Sequence, residues 1–313
     1  NIVLRSSTDG TTWSSATNVI TTHVSADGQT FGIACSGSTG MYAQTDSAGT
    51  FYARAWTFNS DGTISYSFTE VQVTTTNTNA GAQRAAFISG SNFWVMAGTK
   101  AVGNYFVELW QCSTTCGTAS NWTNRQDYNT GQGTNDYNAA MFTVTSGIEV
   151  LMGIMSGGAQ VIITLNNPSA DGSGTWSSTT SSSNSYLFNK GSGTASGNSV
   201  YYCGVQATTT TLVKVTYGTP PTINEATTIV GSGKNNCVLE GDGSSLLVAI
   251  AEASNSEDYY VSSDTGATWG GANNIGTDTL SDAEQFTGSP SLNGNTLFVA
   301  WLQGSVPPFN VRF

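Results

Sequence analysis

The chain has 313 residues, a formal net charge of −11 and only 9% charged residues, against roughly 25% in an average soluble domain. That charge argues against nucleic acid, whose phosphates it would repel, and no apolar run reaches the roughly 18 residues needed to span a membrane. With 36 glycines, a wealth of Ser, Thr and Asn, and 38% hydrophobic residues, the composition fits an extracellular or cell-surface β-protein with a sizeable core. Lysines are scarce: Lys100, Lys190, Lys214 and Lys234. The chain begins at Asn1 without an initiator Met, which reads as a mature or trimmed product.

Taken in chain order, the elements are strands. "NIVLRSSTDGTTW" reads as strand, turn and strand, and short apolar or alternating runs follow: "FWVMAG", "IEVLMGIM", "VYYCGV", "LLVAIAEA" and "TLFVAWL". "TLVKVTY" alternates, with Val213, Val215 and Tyr217 on one face and Leu212, Lys214 and Thr216 on the other. Most of these runs follow a Gly turn, and the turns at Gly37, Gly90, Gly147, Gly197, Gly243 and Gly294 stand about fifty residues apart. A second series keeps the same rhythm: Asp9, Asp61, "CSTTC", Asp171, "YGTPP" and Asp264. An all-strand repeat of this length, with room for four short strands, predicts a six-bladed β-propeller of four-stranded antiparallel blades. The whole of 1–313 forms a single domain in this reading. Its closing blade is shared between the termini, from about 1–20 and 280–313. The tail "PPFNVRF" then adds a strand for which the closing blade already has a candidate, and a surplus strand edge is a template for another chain.

Of five cysteines, Cys112 and Cys116 enclose "STT". A straight strand would hold their Cα atoms about 13 Å apart, whereas a disulfide needs roughly 4.4–6.8 Å, so a bridge here closes a tight turn. Cys35, Cys203 and Cys237 leave one odd thiol, and their pairing is open. No zinc spacing occurs, and His23 is the one histidine.

"SSDTGATW" falls at the turn and fourth strand of a blade. It resembles the Asp box of sialidase-like (BNR-repeat) propellers, Ser-x-Asp-x-Gly-x-Thr-Trp, at Ser262, Asp264, Gly266, Thr268 and Trp269. Near copies are "STDGTTW" (Ser7, Asp9, Gly10, Trp13) and "SADGSGTW" (Ser169, Asp171, Trp176), while "NSDGTISY" keeps the Asp-Gly core. The residue types explain a structural role: the carboxylate accepts N–H bonds within its own turn, Gly allows positive φ, and Trp buries area between blades. The resemblance implies that this box lies away from the ligand face.

The same resemblance sets a test for catalysis. Sialidases need three arginines on a carboxylate, a Tyr–Glu nucleophile pair and an acid/base Asp, with an Arg-Ile-Pro segment near the start. This chain has no Arg-Ile-Pro, and of Arg5, Arg54, Arg84, Arg125 and Arg312 only Arg84 falls where an innermost strand begins. The expectation is a non-catalytic member. Another glycosidase would need two carboxylates about 5–10 Å apart, for which Glu240 and Glu284 are the inner-strand pair. The acidic stretch between Lys234 and Arg312 reads as a solvated face, with Ca²⁺ as the alternative; no other cofactor is expected. The polar loops 74–82, 127–136, 207–211 and 231–236 suit sugar hydroxyls, and the candidate ligand face comprises Tyr128, Tyr137, Arg84, Lys234, Glu240 and Glu284. Asn121-Trp122-Thr123 is a glycosylation sequon. Three roles follow in order: a structural subunit or binding module that polymerises with further copies of itself through the surplus strand, a lectin-like propeller engaging cell-surface glycan or protein, and a sialidase-like glycoside hydrolase.

Overall fold

The computed structural model describes residues 31–45, 51–61, 63–74, 84–101, 104–131, 137–156, 159–181, 193–206, 209–231, 233, 236–253 and 256–276, with 2–4, 12, 15, 17–20, 291–293, 296–298, 301–303 and 310–312. Among the described residues the chain is all-β apart from one 3-10 turn, Ala119–Asn121. Its N-terminal strands β1 (Ile2–Leu4) and β2 (Thr17–Ile20) pair antiparallel. Five four-stranded antiparallel sheets follow, each a meander in chain order. They are β3 (Phe31–Ser36), β4 (Thr39–Thr45), β5 (Phe51–Phe58) and β6 (Ile64–Thr74); then β7 (Arg84–Ser89), β8 (Asn92–Ala101), β9 (Asn104–Cys112) and β10 (Thr123–Asn129). The third holds β11 (Tyr137–Val144), β12 (Gly147–Ser156), β13 (Ala159–Asn167) and β14 (Ser177–Thr180). The fourth holds β15 (Thr194–Ser196), β16 (Ser199–Gln206), β17 (Thr209–Thr216) and β18 (Thr222–Val230), and the fifth β19 (Asn236–Gly241), β20 (Leu247–Ala253), β21 (Ser256–Ser262) and β22 (Asn273–Gly276). At the C-terminal end, β23 (Ser291–Asn293) pairs with β24 (Thr296–Phe298), and β25 (Trp301–Gln303) with β26 (Asn310–Arg312).

Within the described residues both turn series fall between the strands that the repeat predicts; Asp9 and Gly294 lie outside those residues. Gly37, Gly90 and Gly197 have φ of 55°, 59° and 58° and open two-residue loops from first to second strand, the position where a hairpin twist matched to its strands asks for glycine. Asp61, the Cys112–Cys116 segment, Asp171, "YGTPP" and Asp264 each sit between third and fourth strands. The terminal strand β26 pairs with β25: Trp301 faces Arg312, Leu302 faces Val311 and Gln303 faces Asn310.

The chain falls into two compact units, Asn1–Tyr137 with Ala170–Ser173, and Asn138–Ser169 with Gly174–Phe313. In the first, the core joins β3–β6 to β7–β10 through Met41, Ala43, Phe51, Ala55, Val95 and Trp122. In the second, Tyr201, Cys203 and Leu212 pack against Cys237, Leu239 and Leu247 across the fourth and fifth sheets. Sheet β15–β18 is covered on its other face too: Val213 and Val215 are as buried as Leu212, and Asn166 Nδ2 donates to Gly218 O at 2.6 Å from the third sheet. Stacking on both faces explains the near-continuous apolar runs, which a sheet with one solvated face would break by alternation. Lys214 keeps its place in such a strand by lying over the Tyr201 ring, 5.6 Å from its centroid.

Two disulfides tie these cores. Cys112–Cys116 has the expected short span, with Cα atoms 5.8 Å apart. Cys203–Cys237 joins β16 to β19 of the next sheet at a Cα separation of 6.0 Å, leaving Cys35 as the exposed free thiol.

Candidate functional site

The turn at Ser262–Trp269 is closed by its own side chains. Asp264 Oδ1 accepts from Ser262 Oγ at 2.7 Å and Thr268 N at 2.9 Å, while its Oδ2 accepts from Thr268 Oγ1 at 2.6 Å. Ser262 Oγ in turn accepts from Gly266 N at 2.8 Å. Thr265 and Gly266 both take positive φ, 56° and 84°, and Gly266 lies so near Leu212 that a Cβ would fall 2.1 Å from its Cδ2. Trp269 packs onto the second core. These bonds, first from Thr268 and then from Ser262, hold the Asp264 carboxyl down to about 2. A carboxylate so engaged and so acidic has no proton to give at neutral pH, and three of its acceptor positions are spent within its own turn. At Asp171, Ser173 donates both N–H and hydroxyl to Oδ1, and Arg125 stands 3.7 Å from Oδ2. Asp61 is likewise used by Thr63. Ser7, Asp9, Gly10 and Trp13 lie outside the described residues.

The corresponding turn between β9 and β10 is built differently. Cys112–Cys116 closes it, Thr115 takes φ 53°, and Trp122 donates from Nε1 to Cys116 O at 2.9 Å. Beside this turn lies an open cleft of about 490 Å³, lined by Ser67, Phe68 and Thr69 of β6, Phe93 of β8, and Ser113 and Thr115–Thr118. Phe68 and Phe93 meet edge to face with centroids 5.4 Å apart, and Phe68 meets Trp122 at 6.2 Å. Ser67 Oγ is 3.2 Å from Thr57 Oγ1. Asn121, the sequon residue, is exposed at the edge of this turn and donates from Nδ2 to Thr115 O at 3.0 Å. The sequence singled out the bridge but not the cleft, because its walls come from three segments that only the packing of two sheets brings together.

The predicted ligand-face residues are not seen to converge. Tyr128 sits half-buried in β10, an outermost strand, and not in a loop. Arg84 opens β7, the first strand of its sheet, and Tyr137 opens β11, their side chains outside the described residues, as are Lys234 and Glu284. Glu240 lies on β19, the first strand of its sheet, where burial pushes its carboxyl up to about 7 against one bond from Gly241 N. A second such carboxyl, not anticipated from the sequence, is Glu149 on β12. It is fully buried and burial raises it to about 7, while Thr164 Oγ1 donates to its Oε1. The acidic stretch is also less solvated than expected, since strand alternation turns Glu257 of β21 into the interior. Among the described residues no three His, Cys, Asp or Glu side chains gather as metal ligands.

Of the arginines, Arg54 stacks over the Tyr66 ring at 3.5 Å and Arg125 donates to Gln111 Oε1 at 2.8 Å. Tyr42 Oη donates to Glu70 Oε2 at 2.5 Å, a pairing of the types a sialidase uses. Here, however, burial and the Glu70 carboxylate raise the phenol far above its ordinary value, and Tyr42 is 1% exposed, so neither an accessible nor an activated nucleophile results.

No family model and no curated protein matches the chain. Solved structures do. The Aleuria aurantia lectin in complex with Fucalpha1-6GlcNAc aligns with a TM-score of 0.53 at 14% identity, over 91% of this chain and 95% of the lectin. A prolyl endopeptidase aligns at 0.52 with 13% identity, over 96% of this chain and 42% of that one. Prolyl oligopeptidase B from Galerina marginata aligns at 0.51 with 11% identity, over 90% and 41%. The chain thus spans less than half of either peptidase. At such identities the likeness shows the fold alone, a β-propeller.

Proposed function

We propose that the chain is a non-catalytic, extracellular six-bladed propeller of the Asp-box kind, acting as a structural subunit that joins further copies through a terminal strand. The carrying observation is strand supply. Among the described residues five sheets take four strands each, and the remaining segments are β1, β2, β23, β24, β25 and β26, of which β24 and β25 lie on the single run "TLFVAWLQ". A four-stranded closing blade therefore has five segments for four places. β26 pairs with β25, the neighbour that the repeat would give to β1, and β1 has β2 as its one partner among the described strands. A strand edge so left carries N–H and C=O groups that a second copy satisfies by strand addition. The disulfides and hydroxyl-rich surface suit life outside the cell. The test is light scattering with negative-stain imaging. Filaments or large particles are expected, and deleting Phe309–Phe313 or Asn1–Arg5 should dissolve them; a clean monomer of the full chain would sink the idea.

A second reading, glycan binding, is favoured by the likeness to a lectin over nearly its whole length. A glycan array on the intact protein tests it. The glycosidase reading pairs Glu240 with Glu284, and Glu284 lies outside the described residues.

A further inference from the structure

We infer that the cleft between β6 and the disulfide-closed turn is a binding site for a neutral pyranoside. This inference rests on the glycan-binding reading and gives it a place. The cleft's volume falls within the roughly 300–1,000 Å³ usual for small-molecule sites. Its lining divides by chemistry into an aromatic part, Phe68 and Phe93, and a hydroxyl part from Thr69, Ser113, Thr115 and Thr118. A pyranose divides the same way, with one face of polarised C–H groups that suits the negative face of an aromatic ring and a belt of hydroxyls that both donate and accept. Among the described residues no charged side chain lines the cleft, so none of them would repay the desolvation of an acidic or basic sugar.

Two features make the hydroxyls available and fixed. Thr69, Ser113 and Thr118 are exposed, and their hydroxyls enter no hydrogen bond within the described protein. The turn that carries most of them is nonetheless rigid, held by Cys112–Cys116, by Trp122 on Cys116 O, and by Asn121 on Thr115 O. Preorganised donors and acceptors lose less on binding than mobile ones. Gly117 completes the wall: its position is 3.4 Å, at a would-be Cβ, from Phe68 Cβ, so the turn backs directly onto the aromatic strand.

The experiment titrates the full chain with methyl pyranosides of glucose, galactose, mannose and fucose, with 3′-sialyllactose as the charged control, by saturation-transfer NMR and calorimetry. Wild type should bind at least one neutral glycoside in preference to sialyllactose. Thr69→Val with Thr118→Val, which keeps shape and removes two exposed hydroxyls, should weaken that binding at least tenfold with an unchanged circular dichroism spectrum. Ser113→Trp, which fills the cleft, should abolish it. Binding by no neutral glycoside overturns the site and the glycan reading together. Binding equal in wild type and both variants overturns the site while the glycan reading stands. Variants that lose self-association and keep sugar binding assign the cleft to a contact between copies, and that too overturns the proposal.

Discussion

Two turns at the same place in their sheets, one between β9 and β10 and one between β21 and β22, solve a common problem with opposite chemistry. Each carries a threonine forced to positive φ, Thr115 at 53° and Thr265 at 56°, and each delivers a tryptophan, Trp122 or Trp269, onto a core. A left-handed residue other than glycine costs roughly 1–2 kcal/mol, so something must hold each turn. Around Asp264 the hold is a carboxylate that consumes the hydroxyls of Ser262 and Thr268. Around Thr115 it is a covalent bond, Cys112–Cys116, which leaves the hydroxyls of Ser113 and Thr118 without a hydrogen bond among the described residues. The contrast teaches that the means of fixing a turn decides what its side chains can still do. A carboxylate latch uses up its polar neighbours, whereas a disulfide latch frees them to meet a ligand.

The sharpest way to break the Asp264 turn is at its glycine. Gly266→Val adds a β-branched residue at φ 84° and drives a Cβ to 2.1 Å from Leu212 Cδ2. Left-handed strain of roughly 1–2 kcal/mol and overpacking of about 1–3 kcal/mol should together cost about 2–5 kcal/mol in a urea melt of the second unit. A loss below 1 kcal/mol would mean that the turn is not braced against the fourth sheet. Next comes the covalent latch. Replacing Cys112 and Cys116 by serine opens a five-residue loop, for which the chain-entropy model gives about 2 kcal/mol. The loss should appear in the Trp122 environment, by near-ultraviolet dichroism, and leave the Trp269 signal unmoved.

Much of this comparison was legible in the sequence and some was not. The turn series could be read because positive φ and carboxylate-closed turns demand particular residues at particular places, as at Gly37, Gly90 and Asp264. The Cys112–Cys116 bridge was readable because four residues cannot stay extended and be bonded. Cys203–Cys237 was not, since nothing local says that β16 lies against β19. The buried Glu149 was hidden in "IEVLMGIM", where one carboxyl reads as a break in an apolar run and not as a group held by Thr164 across the sheet. The cleft escaped for the same reason, being assembled from β6, β8 and a turn that are distant in the chain. Tyr128 was read as a loop residue because "DYNTGQG" has turn composition, yet its first residues continue the ladder with β9, where Tyr128 faces Val107.

Acid should separate the two latches. Asp264 sits at about 2 in the folded chain against an ordinary 3.8, so its contribution is present above 3.8 and is lost as pH falls through 2. Glu149 and Glu240 act in the opposite sense. Folding raises both from 4.5 to about 7, so the folded state holds protons that the unfolded chain releases, and stability falls as pH rises from 4.5 through 7. The second unit should therefore be most stable near pH 4, with the larger decline toward neutrality, where two carboxyls release protons, and a smaller one toward pH 2. Glu149→Gln should flatten much of the neutral limb, because an amide in its place releases no proton. Asp264→Asn should flatten the acid limb. The disulfide turn has no carboxylate to protonate, so hydrogen exchange at Trp122 Nε1 should hold steady from pH 4 to 2, after correction for intrinsic rates, while protection at Thr268 N is lost. If both sites lost protection in parallel, acid would be unfolding the chain as a whole, and the carboxylate would not be what distinguishes the two turns.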